Sequence, residues 1–200
     1  MSESLGFIPT KRLTGTERFH HAGRELSTVE QYWQWSPSDL MNNTDRAIVA
    51  EYIVALDIDI TDGVQAGWEA FDLWTPEGIA VEVKSAAYVQ TWKQERLSQI
   101  LFGIAPTHAW NPRTDEFAPE KKRQAQVYVF CLLAHQDQDT IDPRNLDQWE
   151  FYVLATAKLD AAMGPAKSIG IAKLRELGPP KVRFGEIHEA IRQQAGYDRR

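Results

Sequence analysis

Cysteine, excess basic charge and long apolar runs are all scarce in this sequence, and each scarcity removes a class of protein. A single cysteine, Cys131, in 200 residues excludes an intrachain disulfide framework and any zinc site built on cysteine. It lies inside the apolar run 127–133, where a small thiol is expected in the core. The five histidines, His20, His21, His108, His135 and His188, include no pair at the helical spacing of a zinc site. Neither a Gly-x-Gly-x-x-Gly pattern nor a phosphate-loop motif occurs, which argues against nucleotide binding of the usual kinds. No stretch approaches the roughly 20 apolar residues that span a bilayer, and the opening Met-Ser-Glu-Ser-Leu-Gly lacks the basic start and apolar run of an export signal. The expectation is a soluble, cytoplasmic protein with no membrane partner. A formal net charge of −6 weighs against nonspecific coating of nucleic acid, which depends on Lys and Arg neutralising phosphates. An acidic metal site beside a local basic face remains compatible with that total.

With 43% hydrophobic and 25% charged residues, the chain has the balance of one globular domain with room for a core. Residues 1–38, which carry the cluster Tyr32-Trp33-Gln34-Trp35 and close at Pro37, read as an N-terminal extension packed on a single domain spanning 39–200. Asn42, Asn43, Thr44 and Asp45 are N-cap candidates ahead of the apolar period Ala47, Ile48, Tyr52, Ala55, Leu56, so a helix is expected to end near Asp57. Residues 68–74 and 79–85 suit two strands joined by the turn Thr75-Pro76-Glu77-Gly78. The run 100–104, closed by Pro106, favours a third strand. Residues 115–125 are charged and helix-compatible, 126–135 and 149–155 read as strands, and weaker helical patterns follow at 156–162, 168–177 and 185–195. This order implies an α/β domain bordering on α+β, with a mixed sheet covered by helices. Among the seven tryptophans, Trp33, Trp35, Trp68, Trp110 and Trp149 have no cofactor-box spacing, and core packing is the expected role.

Chemistry concentrates in the hairpin. Strand alternation puts Ala80, Glu82 and Lys84 on one face and Ile79, Val81, Val83 and Ser85 on the other. A three-residue loop with Gly78 in the left-handed conformation would pair Thr75 with Ile79 and set Asp72 directly opposite Glu82. Opposed like charges destabilise a sheet and ask for a cation. Lys84 supplies one positive charge, and hard carboxylate oxygens suit Mg²⁺ or Mn²⁺. On the preceding helix Glu51 has only apolar neighbours one turn away (Ala47, Ile48, Val54 and Ala55), so its carboxylate is expected to be partly buried and to face the same acidic pair. The bland reading is a solvated hairpin face with an ordinary salt bridge.

Asp72, nine intervening residues, then Glu82-Val83-Lys84 resembles the Asp-x(n)-Glu-x-Lys signature of the PD-(D/E)XK, restriction-endonuclease-like superfamily, and the helical Glu51 matches as well. Phe71 stands where that signature has proline. The resemblance covers about residues 43–156 and implies an order of helix, hairpin, third strand, helix and strand. It also implies that Asp72 and Glu82 are metal ligands, Glu51 an auxiliary ligand and Lys84 the catalytic lysine, with Asp72 and Glu82 sharing in catalysis. The expected function is a Mg²⁺- or Mn²⁺-dependent endonuclease hydrolysing phosphodiester bonds in DNA, with RNA as a second substrate to be tested. A member of the same fold that binds nucleic acid or protein without cleaving is the alternative. Gln90, Trp92, Lys93 and Gln94 follow the signature directly and are candidates to contact phosphates or stack on a base. The run Lys121-Lys122-Arg123 is a weaker candidate, since such runs are usually a solvated helix face. Cutting both strands of a duplex would need two sites, and so favours a homodimer or a partner subunit.

Overall fold

The computed structural model describes residues 8–65, 69–111 and 114–197. In chain order the elements are β1 Arg18–His21, β2 Arg24–Thr28, α1 Val29–Trp35, α2 Asn43–Asp57, β3 Leu73–Trp74, β4 Ala80–Ala87, β5 Leu101–Gly103, β6 Trp110–Asn111 and β7 Glu116–Phe117. There follow β8 Val127–Leu133, β9 Trp149–Ala155, α3 Thr156–Met163, β10 Ser168–Gly170, α4 Ile171–Glu176, β11 Lys181–Val182 and α5 Ile187–Gln194.

The centre is a mixed sheet of order β11-β9-β8-β4-β3. All seven residues of β8 are buried, as a strand covered on both faces must be. It pairs in parallel with β4 from Val81↔Val127 to Ala87↔Leu133, and antiparallel with β9. Alternation then sorts side chains into two cores. Val81, Val83, Val127, Val129, Cys131, Phe151 and Val153 face α2 and α5, packing on Ala50, Ile53, Val54, Ile187 and Ile191. Tyr128, Phe130, Leu132, Tyr152 and Leu154 face the opposite layer, where Phe102 of β5, Leu159 of α3, Ile169 of β10 and Leu174 of α4 cover them. The expected mixed sheet flanked by helices is therefore present. Among the described residues no helix is long and apolar enough to cross a membrane.

The helix read from Asn42 forms as expected, with the Asn42 side chain accepting from the Thr44 and Asp45 amides. Strands at 80–87, 101–103, 127–133 and 149–155 also form where read, although β5 pairs with β10 in a separate two-stranded ribbon. The first strand of the hairpin is shorter than the reading of 68–74, covering only Leu73 and Trp74, and Trp68 lies outside the described residues.

Three expectations need correction. No helix forms across 115–125. Pro119 interrupts that stretch, Thr107 and Lys122 bridge instead, and Arg123 is 6% exposed rather than on a solvated face. Its guanidinium donates to Ile104 O at 2.8 Å and Ala166 O at 3.1 Å and pairs with Asp160, so it staples the crossover to the α3 layer. Residues 168–177 split, because Ser168, Ile169 and Gly170 pair with Gly103, Phe102 and Leu101 and only Ile171–Glu176 is helical. The tryptophans divide too: Trp149 is core at 3% exposure, whereas Trp35 is 83% exposed and Trp33 40%.

The β3–β4 turn is tied to α5 by Glu77, whose carboxylate accepts from Arg192 Nη1 at 2.7 Å and lies 3.1 Å from His188 Nε2. The His188 hydrogen bond above all pulls the Glu77 pKa from 4.5 down to about 2. A carboxylate depressed on folding stabilises the native state above its ordinary pKa and ceases to do so as pH falls through the folded value. Glu77→Gln is therefore expected to cost about 1–2 kcal/mol at pH 7. In denaturant titrations that gap should narrow steadily from pH 4.5 towards pH 2; a gap independent of pH would show that the ion contacts contribute nothing.

Candidate metal centre at the edge of the sheet

The hairpin turn has the geometry its sequence demands. Gly78 adopts φ +82°, a conformation that strains any residue with a Cβ. The Gly78 amide donates to Thr75 O at 2.9 Å and the Thr75 amide to Ile79 O at 3.0 Å, which sets Trp74 against Ala80 and Leu73 against Val81. Continued one step, that register would oppose Asp72 to Glu82.

At Asp72 the backbone ladder stops. The Asp72 amide donates to Val81 O at 3.1 Å, and its carboxylate Oδ2 accepts from the Val83 amide at 2.6 Å. The side chain thus takes the position of a strand neighbour and satisfies a backbone donor that β3 is too short to reach. The arrangement differs from two carboxylates simply facing each other across a hairpin. Asp72 sits at the edge of β4, Glu82 and Lys84 form an ion pair on one face, and Glu51 approaches from α2, which packs on the other face. Glu51 and Asp72 line a groove of about 540 Å³ with Tyr52, Phe71 and Trp74. Glu82 and Lys84 line a smaller cavity of about 280 Å³ with Ala70, Gln124, Tyr128 and Lys167. Phe71 and Asp72 line the groove, and the adjacent Ala70 lines the smaller cavity.

Electrostatically the four groups are one site. Burial raises the pKa of Glu51, and the Asp72 charge raises it further, while the Gln65 amide, 3.0 Å from Oε2, opposes. Burial also raises Asp72, opposed by the Lys84 ammonium and the Val83 amide. Glu82 is raised by burial as well, with Lys84 opposing and Asp72 adding. Three half-buried carboxylates therefore share one ammonium, an excess of negative charge that a proton or a bound cation would relieve.

Among the described residues no three acidic, histidine or cysteine side chains converge closely enough to form an ion cage of their own. Mg²⁺ does not require one, since it is commonly held by one or two carboxylates, several waters and substrate phosphates. Asp72 and Glu82 each engage one carboxylate oxygen in the contacts above and keep a second to offer. The donor chemistry fits such an ion.

Of the candidate substrate contacts, Trp92 and Lys93 are exposed, Trp92 by 53%. Gln90 is buried, with Nε2 on Ala87 O at 2.8 Å and Oε1 accepting from Arg46 at 3.3 Å. Gln94 frames the loop, its Oε1 accepting from the Gln90 amide at 2.7 Å and its Nε2 donating to Ser98 Oγ at 3.0 Å. Lys121 and Lys122 are exposed, whereas Arg123 is buried as described. Sequence reasoning missed Tyr128, hidden in the apolar run of β8 but aligned with Glu82 by the parallel register, and Lys167, which sequence distance separates from everything else in the cavity. The one available signal was that Tyr128 carries the sole hydroxyl in 127–133.

Because the folded site raises the Asp72 pKa, its ionised form opposes folding once pH exceeds the ordinary value of 3.8. Asp72→Asn removes the charge and keeps an acceptor for Val83, so in chelator at pH 7 it should gain about 1 kcal/mol, or ~2–4 °C in Tm. The gain should vanish below about pH 4. Asp72→Ala, which orphans the Val83 amide, should lack it. Thermal melts of the two variants across pH decide this; equal melting at pH 7 would count against it.

The family model described as Bacteriophage T4 endonuclease IV matches residues 22–163, a stretch that contains Glu51, Asp72, Glu82 and Lys84. No curated protein and no solved structure matches the chain.

Proposed function

The chain belongs to the bacteriophage T4 endonuclease IV family, a family of nucleases, and from that premise we propose that it hydrolyses phosphodiester bonds in DNA with a divalent metal held at the β3–β4 edge. The observation that carries the proposal is that Glu82 pairs with Lys84 while Asp72 and Glu51 feel the same ammonium, with all three carboxylates raised by burial. The Asp-x9-Glu-x-Lys spacing and the hairpin that displays it support membership of the PD-(D/E)XK superfamily. Against a complete match stand Phe71 in place of proline and the missing helix between β5 and β8.

In this mechanism Asp72 and Glu82 would hold the ion, each with a carboxylate oxygen not engaged by Val83 or Lys84, and Glu51 would support it. A bound Mg²⁺ or Mn²⁺ supplies a water of lowered pKa and neutralises charge on the phosphate. Lys84, anchored by Glu82, directs its remaining N–H donors into the cavity, where they orient the attacking water and stabilise the pentacovalent phosphate. The Val83 amide fixes Asp72, so the carboxylate is positioned before substrate arrives. Trp92 and Lys93, exposed in the loop after β4, would be the side chains of that loop to meet the substrate strand.

The test is cleavage of plasmid, linear duplex, single-stranded DNA and RNA in Mg²⁺ or Mn²⁺. Wild type should cut DNA, chelator should abolish cutting, and Glu82→Ala or Lys84→Ala should lower kcat by at least ~100-fold while each protein stays folded. Cutting of RNA in place of DNA would correct the substrate. Undiminished cutting by Glu82→Ala in chelator would eliminate the metal mechanism, and a folded wild type that binds nucleic acid without cutting any substrate would favour a non-catalytic member of the fold.

A further inference from the structure

The cavity on the Glu82 side contains a group that the mechanism above leaves unused. Tyr128 is aligned with Glu82 across the parallel β4–β8 pair and is only 3% exposed. Its ring belongs to the core, stacked on Phe130 with centroids 5.7 Å apart. Its hydroxyl has no hydrogen-bond partner among the described residues. Yet it is not one of the unpartnered polar atoms sealed from solvent, which are Arg46 Nε, Ser85 Oγ, Thr156 Oγ1 and Arg192 Nε. A buried phenol whose oxygen is neither bonded nor sealed must meet open space, and the space at this end of β8 is the cavity it shares with Glu82, Lys84 and Lys167. A hydroxyl open to that cavity is tied to no protein group and is free to donate to an acceptor that enters it in place of water.

Lys167 gives the acceptor's charge. It lies between α3 and β10, held by its carbonyl, which accepts from the Ile104 amide at 2.9 Å. Its ammonium is exposed and has no ion pair among the described residues, whereas Lys84 is paired with Glu82. Gln124 completes the wall, with Nε2 committed to Thr107 O at 2.9 Å. A neutral phenol donor, a free ammonium and a second ammonium that is already ion-paired surround about 280 Å³, near the small end of ligand pockets, which run from ~300 Å³ upward. That volume suits a phosphate with its sugar and not a nucleobase stack.

We propose that Tyr128 and Lys167 form the phosphate-binding half of the site, the Tyr128 hydroxyl donating to a non-bridging oxygen of the substrate phosphodiester and Lys167 neutralising it. The proposal rests on the nuclease reading of Asp72, Glu82 and Lys84 and adds two substrate contacts to it. A neutral hydroxyl donor to a phosphate oxygen gains strength as charge builds on that oxygen, so Tyr128 acts mainly in the transition state. Lys167, at the rim, acts mainly in binding.

Two measurements test it. In the cleavage assay Tyr128→Phe, which preserves the stack on Phe130, should lower kcat at least ~10-fold with KM nearly unchanged. Lys167→Ala should raise KM on every sequence and reduce the salt slope of binding by about one. Independently of cleavage, inorganic phosphate is titrated into protein labelled with ¹³C at tyrosine Cζ, the Tyr128 resonance being assigned by its loss in Tyr128→Phe. That resonance should shift saturably in wild type and far less in Lys167→Ala. Wild-type cutting with an immobile Tyr128 resonance, or with Tyr128→Phe as fast as wild type, overturns the inference and leaves the nuclease reading standing. A saturable shift in a protein that cuts nothing upholds the phosphate pocket and removes the nuclease reading instead.

Discussion

The parallel pairing of β4 with β8 is the constraint from which the rest of the molecule follows. Two parallel neighbours cannot be joined by a tight turn, so residues 88–126 must leave the end of one strand and return to the start of the other. Here that crossover is not one helix but a glutamine-framed loop, the β5 strand and a short β6–β7 hairpin. Because β4 and β8 are covered on both faces, their alternating residues divide into two cores, and the layers α2–α5 and α3–α4 with the β5–β10 ribbon are what each core requires.

The other edge of β4 is left incomplete by the same arrangement. Its outer neighbour β3 has only two residues, so a backbone donor beyond Val81 would face no strand. Asp72 resolves this with its carboxylate, and in doing so fixes a charge at the edge of β4. Glu51 comes from the helical layer and Glu82 and Lys84 from the opposite face. The site is thus a consequence of a truncated strand, and its electrostatic strain is a consequence of putting three carboxylates and one lysine at a half-buried edge. Stability given up there is of the kind that a bound cation and an anionic substrate would return.

Legibility in the sequence tracked how local each determinant is. The Asn42-capped helix, the Gly78 turn and the buried run at 127–133 depend on neighbours within a few residues and form as read, and the hairpin keeps its expected register as far as Leu73. The helix expected at 115–125 does not form, because Pro119 and the pull of Asp160 and two carbonyls on Arg123 outweigh a composition that suits a helix. Gln90 was a candidate for substrate contact, yet its amide is engaged with Ala87 and with Arg46, a buried guanidinium 44 positions away in sequence.

By itself the sequence determined the chemistry available: Asp72, Glu82 and Lys84 at a spacing a hairpin can bring together, and Glu51 on an otherwise apolar flank of a capped helix. These are matters of side-chain type and period, which act over a turn or a strand. Only the tertiary structure decided that Asp72 would bond to Val83 at the open edge of β4, that Glu51 and Glu82 would approach it from opposite faces, and that Tyr128 and Lys167 would close a cavity around Lys84. Those placements depend on which strand lies beside which and where a crossover returns, and that is settled by burying two cores at once, a condition no local stretch of sequence contains.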